Sequence, residues 1–175
     1  MDNKQVDLEK YIRNVPDFPI PGIQFKDITT LLRDGTALHQ VIDLLAERYQ
    51  NRAIDAVVGI ESRGFIFSAP LAYRLGVGLV PVRKPGKLPA STYQIAYALE
   101  YGTNTLEIHK DSFTPGARVV VVDDLLATGG TIAAACELVE MAGAVIEEVA
   151  FVIELEFLGG RQKLTNYSAF SLVKY

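Results

Sequence analysis

A chain of 175 residues has the length of one domain. Its hydrophobic share of 49% supports a sizeable core and excludes a disordered chain. A formal net charge of −4, from 17 basic and 21 acidic residues, argues against a general nucleic-acid binder, so any anion site has to be a local cluster of cations.

Met1 to Gln5 carry no apolar signal-peptide stretch, and no apolar run approaches membrane-spanning length, so a soluble cytoplasmic protein is expected. Leu8, Tyr11, Ile12 and Val15 recur at helical spacing and predict a helix over 4–15, ended by Pro16. Pro16, Pro19 and Pro21 then argue against regular structure, although the stretch to Phe25 is apolar. It is either a rigid crossing segment or a hood over a flat apolar ligand, with Phe25 as the stacking surface. Leu38, Val41, Ile42, Leu45 and Tyr49 form one stripe and predict an amphipathic helix over Thr36–Gln50. His39, beside that stripe, is expected to be a surface histidine.

Ala56 to Ile60 is a short buried strand, and Glu61-Ser62-Arg63-Gly64-Phe65 follows at its carboxyl end. This corner is either a capped helix start with a surface Glu61–Arg63 pair or a pyrophosphate loop in which Arg63 offers a planar fork of donors. The helix after it is expected to reach about Leu75, with a kink or late start at Pro70, and to end at Gly76. Gly78 to Val82 is the next strand, and Pro81 points to an edge or a strand end. Arg83, Lys84 and Lys87 then gather three cations among Pro85, Gly86 and Pro89. They make either a solubilising loop or a polyanion contact after a strand's carboxyl end. Residues 91–109 alternate polar and aromatic and predict a two-stranded flap with a turn near Gly102-Thr103-Asn104, a form suited to a lid.

The stretch 118–131 organises the rest. Val119 to Val122 describe a strand buried on both faces, Asp123 and Asp124 end it, and Ala127-Thr128-Gly129-Gly130-Thr131 leads straight into a helical pattern. A helix N-terminus presents unpaired N–H groups and partial positive charge, which suits a phosphate. Gly129 and Gly130 let the backbone approach an anion, and the hydroxyls of Thr128 and Thr131 can donate to it. The two aspartates, at the carboxyl end of the strand, are acceptors for vicinal ribose hydroxyls. The loop lacks the Gly-Lys-Ser/Thr of a Walker A motif and the third glycine of a dinucleotide fingerprint. Cys136 falls on the apolar side of the helix, where packing explains it, and a lone cysteine suits a reducing compartment. Strands at 149–155 and 169–173 complete an α/β alternation. The expected fold is a doubly wound, mainly parallel sheet in a single domain, with a hood at about 1–35, a core at about 36–175 and a flap at about 85–110.

Val-Val-Asp-Asp-Leu-Leu-Ala-Thr-Gly-Gly-Thr resembles the 5-phosphoribosyl-1-pyrophosphate (PRPP) motif of the type I phosphoribosyltransferases. Phe-Pro-x-Pro-Gly-x-x-Phe-x-Asp-Ile resembles that family's adenine-binding segment. Glu-Ser-Arg-Gly-Phe, Arg-Lys-x-Gly-Lys-Leu-Pro and Leu-Glu-Tyr-Gly are similar to its remaining motifs, so the resemblance runs from about Tyr11 to the C-terminus. It implies the reaction of adenine with PRPP to give AMP and pyrophosphate, a step of purine salvage that passes through an oxocarbenium-like transition state. It implies the 5′-phosphate on Ala127 to Thr131 and the ribose on Asp123 and Asp124. Pyrophosphate falls to Glu61, Ser62, Arg63, Arg83, Lys84 and Lys87. Adenine falls to Gln24, Phe25, Lys26 and Leu125, read largely by main-chain groups. Glu100 on the flap, beside Tyr101, is the implied acid/base on the purine, and Arg63 a catalytic charge. Mg²⁺ is expected to be held mainly by PRPP oxygens and water, with no protein ligand named, and the family implies a homodimer. Two other readings stay open: a phosphoribosyltransferase for another purine base, and a non-catalytic PRPP or nucleotide sensor.

Overall fold

A computed structural model describes residues 7–98 and 103–175. The chain forms two compact units, Met1–Glu47 and Arg48–Tyr175.

In the first unit, a single 3-10 turn, Leu8–Tyr11, is capped by the Asp7 carboxylate. Strand β1 (Arg13–Pro16) then runs antiparallel to β2 (Gln24–Asp27), with Arg13 opposite Asp27. The Arg13 Nε donates to Asp27 Oδ2 at 3.0 Å, and Asn14 Nδ2 donates to Gln24 Oε1 at 2.6 Å. The helix expected over 4–15 is therefore, among the described residues, one turn and a strand. Leu8 and Ile12 are buried as a helical spacing requires. Pro16, however, disfavours helical angles at Val15, and a missing N–H is tolerated at a strand end. The three prolines also do not exclude regular structure. Pro16 ends β1, while Pro19 and Pro21 lie in the connection. There Asp17 adopts a φ of 56°, its carboxylate accepts from the Gly22 N–H at 2.7 Å, and the Phe18–Pro19 peptide is cis. Phe18 meets Phe25 edge-on with 5.1 Å between ring centroids. A short helix α1 (Thr29–Leu32) precedes α2 (Gly35–Tyr49), whose predicted bounds were one residue later.

The second unit is a five-stranded sheet. Its strands are β3 (Ala56–Ile60), β4 (Gly78–Val82), β7 (Arg118–Leu126), β8 (Val145–Glu154) and β9 (Ala169–Lys174), in the order β4-β3-β7-β8-β9 with every neighbour parallel. Val119 to Val122 are fully buried, as a central strand covered on both faces demands. Pro81 lies on the edge strand β4, where its missing N–H costs no ladder bond. Helix α3 (Gly64–Leu75) carries Pro70 internally, so the helix does not start late, and Gly76 closes it with a φ of 69°. Helix α4 (Gly130–Met141) packs with Val58, Ile60, Val119, Val121 and Phe151 on one face of the sheet. On the other face α3 sets Phe65 and Ser68 over Gly59, where a Cβ would overlap them.

Strands β5 (Thr92–Ala98) and β6 (Thr103–His109) form the expected antiparallel ladder, from Thr92↔His109 to Ala98↔Thr103. Thr103 and Asn104, expected in its turn, belong to β6 instead. Strand β8 starts earlier than expected, because Val145 to Glu148 pair with Arg118 to Val120 across a register shift. Gly159 to Asn166 holds one short 3-10 helix, Gly160–Leu164, after another at Glu156–Leu158.

Candidate active site

Strands β3 and β7 are parallel neighbours, so the segments that leave their carboxyl ends emerge side by side. Between them opens a cavity of about 380 Å³. Glu61, Ser62, Arg63 and Lys84 line one side. Asp123, Asp124, Leu125, Ala127, Thr128, Gly129, Gly130 and Thr131 line the other, together with Leu126 and Ile132. Twelve expected site residues, separated by up to 70 positions in sequence, thus share one cavity.

The loop before α4 is shaped for an anion. Gly129 has a φ of 79°, in the left-handed region, and no side chain caps the helix, so its first N–H groups are left for a ligand. Thr128 therefore does not cap α4, the ordinary alternative for such a turn. The loop also rests on a second backbone. A Cβ on Gly129 would overlap the Gly160 carbonyl, and a Cβ on Gly160 would overlap the Ala127 carbonyl and stand 3.0 Å from the Gly129 nitrogen. Gly160 is thus a support that sequence reasoning missed. The Gly-Gly pair at 159–160 was visible, but nothing in it named the loop it touches.

The charges pair across the strands rather than along them. Arg63 Nε lies 3.0 Å from Asp124 Oδ2. Glu61 does not meet Arg63 in a surface pair. Its Oε2 instead accepts from Arg83 Nε at 3.2 Å and from the Lys84 N–H at 2.9 Å, and these donors hold its carboxyl below the usual range. Asp123 accepts the Asp124 N–H at 2.9 Å. Burial and the neighbouring Asp124 charge push the Asp123 carboxyl well above the usual carboxylate range. Burial raises Asp124 as well, against the pull of Arg63. Asp124 thus has a cation at hand, whereas burial and the Asp124 charge both oppose ionisation of Asp123.

Arg83 and Lys87 do not line the cavity. Arg83 exchanges both backbone bonds with Glu107, at 2.9 and 2.7 Å, and its Nη1 donates to the Lys87 carbonyl at 3.3 Å. Glu107, almost fully buried, accepts the N–H groups of Lys87 and Leu88 at 3.0 Å each and Gln94 Nε2 at 3.1 Å. Burial raises its carboxyl, but the N–H groups of Leu88, Lys87 and Gly86 outweigh this and hold it below the usual range. Glu107 thus fixes the backbone of the basic loop. In sequence it was one polar position of an alternating strand, with no mark of that role. Gln24, Phe25 and Lys26 form β2 of the first unit. Glu100 and Tyr101 lie outside the described residues. Among the described residues, no cluster of three or more His, Cys, Asp or Glu side chains is arranged to hold a metal ion.

A model of the phosphoribosyl transferase domain matches residues 27–165. The adenine phosphoribosyltransferase of Chloroflexus aurantiacus is 74% identical, over 97% of this chain and 98% of its own. Among solved structures, the adenine phosphoribosyltransferase of Thermoanaerobacter pseudethanolicus superposes with a TM-score of 0.92 at 55% identity, covering 97% of this chain and all of its own. That of Saccharomyces cerevisiae, crystallised with adenine and an imino-altritol bisphosphate, superposes with a TM-score of 0.89 at 44% identity, covering 94% and 96%. The chain belongs to the phosphoribosyltransferases and, within that class, to the adenine phosphoribosyltransferase family.

Proposed function

We propose that this protein transfers the 5-phosphoribosyl group of PRPP to adenine, giving AMP and pyrophosphate. One observation carries the reading: the uncapped N-terminus of α4 opens into the same cavity as the Arg63–Asp124 pair, beside Lys84. An anion cradle, hydroxyl acceptors and cations in one cavity support a site where one phosphorylated sugar meets all three. The sequence similarity to adenine phosphoribosyltransferases over nearly the whole chain supports the choice of base.

In this reading the Gly129 to Thr131 backbone and the Thr128 and Thr131 hydroxyls hold the 5′-phosphate, and Asp123 and Asp124 accept the ribose hydroxyls. The bond from the anomeric carbon to the pyrophosphate oxygen breaks, and its electron pair leaves with pyrophosphate. A bond forms from that carbon to the purine nitrogen, whose proton passes to the Glu100 carboxylate. Positive charge develops on the ribose, so Asp124 stabilises it from the cavity. Arg63 and Lys84, with Ser62, meet the charge that accumulates on the leaving group. Glu61, Arg83 and Lys87 are assigned to the same end of the ligand, Glu61 and Arg83 acting through the pair that shapes the basic loop. Phe25 stacks on adenine, the backbone of Gln24 and Lys26 reads its edge, and Leu125 packs against it. Tyr101 and the flap exclude water, which would otherwise hydrolyse PRPP.

The cavity suits Mg²⁺ delivered on PRPP. It offers few carboxylates and needs several oxygens from water and phosphate, the coordination that this ion prefers. When bound, the ion neutralises pyrophosphate charge. We further propose a homodimer, supported by exposed apolar side chains on α3 and β4: Ile66 and Leu79 are exposed, and Tyr73 is 86% exposed. A role in cytoplasmic purine salvage agrees with a single, buried cysteine. No helix among the described residues is long and apolar enough to cross a membrane. The test is stoichiometric. Adenine, PRPP and Mg²⁺ with the purified protein should yield one pyrophosphate per AMP; pyrophosphate released without adenine at the same rate would reject transfer to the base.

A further inference from the structure

The flap strand β5 has a contact that the reaction above does not use. Its alternation turns Tyr93, Ile95 and Tyr97 toward the core that contains α4. The last of them brings its hydroxyl to 3.2 Å from Thr131 Oγ1, on the first turn of α4. The phenol ring packs against the core cluster, so the hydroxyl is set by the β5 register and not by a flexible stem.

We infer that Tyr97 is a positioning residue for the 5′-phosphate, acting through Thr131. The inference rests on the reading of 127–131 as the phosphate loop. A threonine hydroxyl has one proton to donate and lone pairs to accept with, whereas a phosphate oxygen only accepts. With phosphate in the loop, the Thr131 proton turns to the anion, and the Tyr97 proton turns to Thr131. Tyr97 thereby fixes the Thr131 rotamer, and the chain Tyr97–Thr131–phosphate polarises along its length. The same contact ties β5 to the phosphate loop at a position three residues before Glu100 in sequence.

Tyr97→Phe removes the hydroxyl and keeps the ring. It should raise the dissociation constant of ribose 5-phosphate and the KM for PRPP roughly three- to tenfold, the usual worth of one hydrogen bond to a charge-bearing chain. Binding of inorganic pyrophosphate, which lacks the 5′-phosphate, should stay as in wild type, and so should the KM for adenine. Thr131→Val should weaken ribose 5-phosphate at least as much, and the double variant should be no weaker than Thr131→Val alone. A Tyr97→Phe protein that binds ribose 5-phosphate like wild type, beside a weakened Thr131→Val, overturns the inference. Equal weakening of ribose 5-phosphate and pyrophosphate by Tyr97→Phe also overturns it, in favour of a purely structural role. A Thr131→Val protein with unchanged ribose 5-phosphate binding overturns the reading of the loop itself.

Discussion

Asp123 and Asp124 are neighbours in sequence with different surroundings. Asp124 has Arg63 at 3.0 Å, whereas Asp123 has burial and the charge of Asp124 against it. Arg63 pairs with Asp124 and, in the proposed reaction, meets the leaving group, so Arg63→Gln should lower kcat/KM for PRPP by about 10²-fold or more, measured by initial rates at saturating adenine. Unchanged PRPP kinetics would remove Arg63 from the site. Glu100→Ala should lower kcat by about 10²-fold or more while the PRPP dissociation constant holds, because proton transfer acts on the step and not on the sugar phosphate. At this scale the sequence was informative about residue type and silent about pairing. Runs such as Val-Val-Asp-Asp name the acidic pair, but the partners of Asp124 and Glu61 lie 61 and 22 positions away, and only the strand order brings them together.

Among the elements, the phosphate loop is held from behind by Gly160. A Cβ there meets backbone, which cannot swing aside as a side chain does. Gly160→Ala should cost roughly 1–3 kcal/mol of stability and weaken ribose 5-phosphate binding, read by thermal denaturation and calorimetric titration. Wild-type stability and binding together would mean that the loop yields freely. The elements that were legible had short-range causes. The apolar runs of β3, β4 and β7, the stripe of α2 and the alternation of β5 and β6 each need only their own residues. The β1–β2 hairpin was misjudged because Leu8, Tyr11, Ile12 and Val15 imitate a helical stripe. Its real determinants are the Arg13–Asp27 pair and the Asp17–Gly22 turn, both made across the chain. The early start of β8 has the same kind of cause, since its first residues gain partners from β7.

The second unit as a whole is knotted by Glu148. This nearly fully buried carboxylate accepts from Arg48 Nη2 at 2.8 Å, the Tyr49 hydroxyl at 2.7 Å and the Ser168 hydroxyl at 2.9 Å. Burial opposes its charge, but Arg48, Tyr49 and Ser168 outweigh it and hold the carboxyl at about 2, against an ordinary 4.5. A carboxyl depressed on folding stabilises the fold above its unfolded value and loses that contribution as pH falls through the folded one. Glu148 should therefore contribute about 3 kcal/mol above pH 5 and shed it between about pH 5 and 2. Urea unfolding of wild type and Glu148→Gln should show a gap that narrows over that window; a constant gap would assign the loss to packing alone. Tyr73→Glu, at an exposed position of α3, should shift the protein from dimer to monomer in sedimentation equilibrium, and a monomeric wild type would refute the proposed assembly.

Transfer to adenine is tested by giving the purified protein PRPP and Mg²⁺ with adenine, hypoxanthine, guanine and xanthine in separate reactions while nucleotide formation is followed. AMP from adenine, with the other bases left unconverted, is the predicted result. IMP, GMP or XMP as the main product would contradict the assignment of the base to Gln24, Phe25, Lys26 and Leu125, and a protein that binds PRPP yet forms no nucleotide from any base would contradict catalysis itself.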